Sequence, residues 1–301
     1  MIRVFALSGF AGAFLFLAPH VFGDEEGTRL LWDTGLMAKR PAGKTAGRAP
    51  IKYRPVAASV AEAKSAAPAA APLRPEDAIL GITFWRLRPS IPGDDPNARL
   101  LVLEDGAAGE IQFTPERIEA DAPLTNGDRV RLTIEVPRGG YLYVLDREQF
   151  GDGTTGPAYL IYPNWQTRQG DNAVAAGRLI EIPDQRDRPN HFRVRRSRQD
   201  QTGEQLSVFV TPKPLDLKIT RKPLEISEAQ VAEWEQKYAV TGERFELEGG
   251  AGKTYTAAEK QAGSDRSALL TRDDATPQTL YRVQARAGEP LLLRLPIRLK
   301  P

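Results

Sequence analysis

Apolar and polar residues alternate with a period of two through most of the chain from Ile79 onward. In 129–136, Val130, Leu132, Ile134 and Val136 share one face, and Arg129, Arg131, Thr133 and Glu135 share the other. Such a strand turns one side to a core and the other to water. Similar stretches predict strands over 80–88, 99–104, 141–147, 158–162, 178–182, 191–196 and 205–211. Asn126-Gly127 and Arg138-Gly139-Gly140 supply residues for tight turns. The second turn predicts an antiparallel hairpin between 129–136 and 141–147. Short strands separated by turn signals, with no helical period among them, point to a sandwich or barrel.

Past residue 217 the pattern changes. Ser227 and Gln230 form a capping box, and Val231, Trp234 and Tyr238 then make one apolar stripe. Thr256 and Glu259 form a second box, with Gly263 placed to end that helix. Strands over 279–285 and 291–299 predict a closing hairpin around Ala287-Gly288-Glu289, and Pro296 puts the last strand at an edge or a bulge. The expected fold is all-β: an immunoglobulin-like antiparallel sandwich over 79–216, with a small α+β C-terminal extension over 217–301 packed on or beside it.

The N-terminus reads as a secretory signal over 1–23. Arg3 precedes an apolar run, Pro19 breaks it, and Val21-Phe22-Gly23 leads to the expected cut. Residues 24–78 read as a disordered Ala/Pro-rich basic linker, with Ala66-Ala67-Pro68-Ala69-Ala70-Ala71-Pro72 at its centre. No later stretch approaches the ~20 apolar residues of a membrane span. These features predict an exported protein, periplasmic or extracellular. The absence of cysteine excludes disulfides, thiolate metal sites, a cysteine nucleophile and a lipoprotein anchor.

Charge refines this picture. The net charge is +2. Lys39, Arg40, Lys44, Arg48, Lys52, Arg54, Lys64 and Arg74 against Glu62 alone make 34–75 basic, which leaves the body mildly acidic. A dedicated nucleic-acid binder has a basic folded domain instead.

Candidate chemistry is sparse. Gly151-Asp152-Gly153-Thr154-Thr155-Gly156 matches a dinucleotide fingerprint in letters, but Pro157 and a strand follow where a helix is required, so a hairpin loop is expected. Gly249-Gly250-Ala251-Gly252-Lys253-Thr254 resembles a phosphate loop, but Leu247 stands where its first glycine belongs. Asp146, Glu148 and Asp152 fit no calcium loop. Past the signal the only histidine is His191, so a zinc site or a Ser-His-Asp triad has little to work with. No catalytic residue, cofactor or metal is expected.

The clearest binding signal lies in 186–198, which carries Arg186, Arg188, Arg193, Arg195, Arg196 and Arg198 against Asp187 alone. With Phe192 and Val194 on one face, His191, Arg193 and Arg195 share the other. A guanidinium row suits carboxylate or phosphate. The alternative is an edge strand blunted by charge, neutralised by Glu181 or Glu204. Tyr141, Tyr143, Tyr159 and Tyr162 read mostly as core, and Trp165 as exposed. The candidate ligand-binding residues are His191, Arg193, Arg195, Arg196 and Trp165.

A run of landmarks adds a resemblance. Gly127-Asp128-Arg129-Val130-Arg131-Leu132 leads to Gly139-Gly140-Tyr141-Leu142-Tyr143-Val144-Leu145-Asp146. Leu160-Ile161-Tyr162-Pro163-Asn164, Asp171-Asn172, Ile180-Glu181-Ile182-Pro183 and Gly203-Glu204 follow. Over 124–214 the chain resembles the bacterial family called domain of unknown function 4384. The resemblance implies an envelope context and an immunoglobulin-like or similar β fold, and it carries over no site residues. The function expected is a non-catalytic exported envelope module that binds a protein partner or an anionic surface polymer. The alternative is an envelope hydrolase using paired carboxylates on glycan or peptide.

Overall fold

The structure is a computed structural model and describes residues 31–43, 51–56, 77–103, 110–264 and 269–301. The expected signal (1–23) and the Ala/Pro-rich centre of the linker lie outside the described residues. Among the described residues, no helix is long and apolar enough to cross a membrane.

Two sheets form a sandwich. Among the described residues, sixteen strands build them: β1 Tyr53–Val56, β2 Asp77–Pro89, β3 Leu100–Leu103, β4 Glu110–Ile118, β5 Arg129–Glu135, β6 Gly140–Phe150, β7 Thr155–Tyr162, β8 Ala173–Val174, β9 Leu179–Ile182, β10 Phe192–Arg193, β11 Gln201–Thr211, β12 Leu224–Ile226, β13 Ala239–Val240, β14 Gly242–Leu247, β15 Thr279–Gln284 and β16 Leu291–Arg298. The first sheet runs β1-β14-β15-β2-β4-β3. β5 lies on the other edge of β2, and β9 and β10 pair with β5. The second runs β12-β7-β6-β11-β16-β13, with β8 on β6. Among the described residues, the strand pairings are antiparallel except β13 with β16.

Alternation places the core between the sheets. Leu80, Ile82 and Phe84 of β2, with Leu132 and Ile134 of β5, face Leu142 and Val144 of β6, Val208 and Val210 of β11, and Leu293 and Leu295 of β16. Strand β2 is buried on both faces, which explains its nearly unbroken apolar run. A side chain at Gly81 would run into Pro277 on the outer side, so glycine there admits the covering segment.

The outer face of the second sheet is covered by helix α1, Glu228–Tyr238. Ser227 accepts the Gln230 amide at 3.3 Å, as the capping box predicts. Val231 and Trp234 pack on Tyr143, Leu145, Phe209 and Leu292. Helix α2, Ala257–Ser264, lies against the outer face of the first sheet. Its capping box also forms, with Thr256 N donating to Glu259 Oε2 at 2.8 Å and Glu259 N donating to Thr256 Oγ1 at 3.1 Å.

The structure departs from the sequence expectation in four places. Strands β5 and β6 do not form a hairpin: they lie in opposite sheets, and 136–139 arches between them. Both present apolar faces to one shared core, which an arch satisfies and a hairpin does not. Strands β15 and β16 are split between the sheets in the same way. The strands of 217–301 do not stand beside a finished sandwich, because β14 and β15 extend the first sheet and β16 the second. Finally, part of the expected linker is packed. Trp32, Leu36 and Tyr53 are buried with Ile79, Phe245 and Leu280, and β1 pairs with β14.

Candidate functional site

The far end of the first sheet curls into a cup. Strands β3, β4, β2, β5 and β10 follow one another across it. Asn190, just before β10, donates from Nδ2 to the Leu101 carbonyl of β3 at 3.0 Å and draws the two ends together. From α2, Lys260 Nζ donates to the Arg99 carbonyl at 2.6 Å, and the Lys260 carbonyl accepts Gln185 Nε2 at 2.9 Å. Leu87, Leu100, Val102 and Phe113 fill the cup.

The cup's polar wall comes from odd-numbered positions of β5 and β10. Phe192 pairs with Val130 and Arg193 with Arg129, so the phenyl ring turns to the core and the two guanidinium groups turn outward together. The Arg129 guanidinium lies 4.9 Å over the Phe113 ring. Burial and the neighbouring Arg193 both lower the pKa of Arg129. Arg131 is buried and donates to Glu181 Oε2 at 3.2 Å and to the Pro183 carbonyl at 2.9 Å.

His191 stands among these cations. It is 9% exposed, and its Nδ1 has no hydrogen-bond partner. Burial first, then Arg129, Arg131 and Arg193, push its pKa down to about 4, so the imidazole is neutral at neutral pH. Arg131 is answered by Glu181 and Arg129 has a partner of its own, so the cations this stretch presents to the surface are Arg193 and Arg195. An oxyanion supplies both the charge and the acceptors that guanidinium forks require.

A second polar layer lies beside the cup, under α2 and the segment 31–43. Arg40 pairs with Glu135 at 2.6 Å with both side chains fully buried. Arg117 pairs with Glu259, and its guanidinium lies 5.0 Å over Trp85. Tyr255 stands edge-on to Trp85 at 4.8 Å and donates its hydroxyl to Glu181. The cavity among these groups is about 20 Å³, room for a water but not for an organic ligand. Each acid here answers a base of the same chain, so the layer fastens its covering segments to the sheet. This corrects the expectation that Arg129, Arg131, Thr133 and Glu135 face water: Arg131, Thr133 and Glu135 are buried. The sequence signal that was missed is the spacing of Trp32, Leu36 and Arg40 within an otherwise low-complexity stretch.

The other sequence candidates fall in different places. The arginine strand is shorter than the expected 191–196, and only Phe192–Arg193 pairs. Arg195 is exposed. Arg196 closes a loop: its amide donates to Asn126 Oδ1 at 3.1 Å and its guanidinium to the Lys300 carbonyl. Arg198 pairs with Asp152 at 3.0 Å and Asp200 at 2.7 Å. Trp165 is 45% exposed but follows β7 in the other sheet, and Tyr143 and Tyr162 are core. Gly151 to Thr154 make the turn between β6 and β7, as expected.

Asp146 and Glu148, weighed in the sequence together with Asp152, instead form a carboxylate cluster with Glu204. Asp146 and Glu148 of β6 and Glu204 of β11 share the inner face of the second sheet, with Glu204 directly across from Glu148. Asp146 Oδ1 is buried without a partner. Burial, then Glu204 and Glu148, push the Asp146 carboxyl up to about 8. Among the described residues, no group of three or more His, Cys, Asp or Glu has the arrangement to hold a metal ion. Comparison with protein-family models found no match to this chain, and comparisons with curated proteins and with solved structures found none either.

Proposed function

We propose that this chain is a non-catalytic exported module that binds a partner bearing oxyanions, either an envelope protein or an anionic surface polymer, through the cup at the end of the first sheet. The observation that carries the reading is the exposure of Arg193 and Arg195, two residues apart in the arginine-rich stretch 186–198. An exposed guanidinium offers a planar fork of donors that an oxyanion can accept bidentately. Arg196, next along the chain, is held by the Lys300 carbonyl and borders this surface. The resemblance to domain of unknown function 4384 fits an accessory role. In the hydrolase alternative Asp146 would be the acid, yet its buried Oδ1 is closed off from any substrate bond.

The test uses polyphosphate as the probe and a variant carrying Arg193→Gln with Arg195→Gln. Wild-type affinity should fall steeply with salt, and the variant should bind at least about tenfold more weakly, since one charge-assisted hydrogen bond is worth that much. Equal affinity of the two proteins would remove the reading.

A further inference from the structure

We infer that the oxyanion partner is a linear polyanion, held along a basic track that starts at Arg193 and Arg195, rounds the edge of the sandwich and crosses the outer face of the second sheet on Arg298 and Arg294. The inference rests on the anion-binding reading and names the class of ligand.

The second sheet sorts its charges by face. On β16, Leu293, Leu295 and Ile297 point into the core, so Arg294, Pro296 and Arg298 turn outward, and all three are exposed. Their partners on β11 are Ser207, Gln205 and Gly203. On β6, Gln205 and Gly203 are answered by Arg147 and Gln149. Residues directly across a ladder share a face. The outer face of these three strands therefore carries Arg147, Arg294 and Arg298 with glutamines between them. The strand acids Asp146, Glu148 and Glu204 lie on the inner face. Helix α1 covers Tyr143, Leu145, Phe209 and Leu292 but leaves this end of the sheet open. Its Glu235 accepts Gln205 Nε2 at 3.4 Å.

The segment between β10 and β11 carries the chain from the first sheet to the second and joins the two basic regions. Arg193 and Arg195 are exposed on it. Arg196 donates to the Lys300 carbonyl, which sets the segment beside the end of β16, where Arg298 and Lys300 are exposed. Among the described residues, none of Arg193, Arg195, Arg294 and Arg298 forms a salt bridge. The bordering acids are committed: Asp121 pairs with Arg244 at 2.8 Å, and Asp152 and Asp200 pair with Arg198 at 3.0 and 2.7 Å. Arg294 and Arg298 lie about 13 Å apart along their strand, too far to close on one small anion. Guanidinium groups spaced along a path suit a ligand that repeats its charge, each fork taking one oxyanion group.

Long-chain polyphosphate and tripolyphosphate are the probes, compared on the full chain at equal total phosphate. The long chain should bind at least about tenfold more tightly, because only it engages both ends of the track. Arg294→Gln with Arg298→Gln should weaken long-chain binding at least about tenfold and flatten its salt dependence, with tripolyphosphate affinity unchanged. Arg294→Lys with Arg298→Lys keeps the charge and should keep the salt dependence, which separates loss of charge from loss of fold. Long-chain binding that Arg193→Gln with Arg195→Gln weakens, but that Arg294→Gln with Arg298→Gln leaves untouched, would overturn the track and leave the cup reading standing. A long chain bound no more tightly than tripolyphosphate would also overturn the track and return the reading to a compact partner. Absence of binding by either probe would overturn both.

Discussion

Asp146 shows how one residue can be read from its surroundings. A carboxyl on the core side of a central strand, with Glu148 and Glu204 on the same face, keeps its proton at neutral pH. The folded chain then holds a proton that the unfolded chain, with an ordinary value of about 3.9, has released. Stability therefore falls as pH rises from about 4 through 8, and the cost is absent below that window. Glu204 is also raised, by burial and by Glu148, and acts in the same direction. Asp146→Asn should raise the Tm relative to wild type by an amount that grows between pH 5 and pH 9. Parallel Tm curves would show that Asp146 is not protonated in the fold. The even numbering of 142, 144, 146 and 148 places Asp146 on the apolar side of its strand, so the sequence does contain this feature. Its partner Glu204 becomes visible only once β6 and β11 are seen to be neighbours.

At the scale of elements, alternation identified most strands, and both capping boxes marked their helices. Turn chemistry was less informative. Arg138-Gly139-Gly140 allows a reversal of the chain but does not say whether the reversal stays in one sheet or crosses to the other. The shared core decides that, because Val136 and Leu142 are both buried in it from opposite sides. The last strand tests the same logic. Pro296 pairs across from Gln205, and β13 reaches only Leu292 and Leu293 on the other side, so the missing amide costs no ladder bond. Gly203 on β11 is the constrained position, since a side chain there would run into the Ile297 carbonyl. Gly203→Ala should cost about 1–3 kcal/mol in urea unfolding. A loss below about 0.5 kcal/mol would mean that β11 and β16 separate there without penalty.

Over the whole molecule, the cup and the buried ionic layer depend on segments far apart in sequence. Arg40 reaches Glu135 and the carbonyls of Asp274 and Ala275, joining the N-terminal segment, β5 and the stretch before β15. Removing one partner strands a buried charge, so Arg40→Ala should cost about 3–5 kcal/mol. A cost below about 1 kcal/mol would mean that water reaches Glu135. The basic composition around Arg40 concealed this role, because a lone arginine in an Ala/Pro-rich stretch reads as solvated until Glu135 is known to be enclosed. The cup was partly legible: the arginine density of 186–198 pointed to His191 and Arg193. Arg129, the residue across from them, was read as facing water.

The interleaving of the sheets sets an order of assembly. Strand β2 takes β15 as a neighbour and β11 takes β16, so each waits for a ribbon made much later in the chain. Pairings this distant in sequence form slowly. A chain cut before residue 279 therefore leaves an edge of β2 and an edge of β11 without a neighbour.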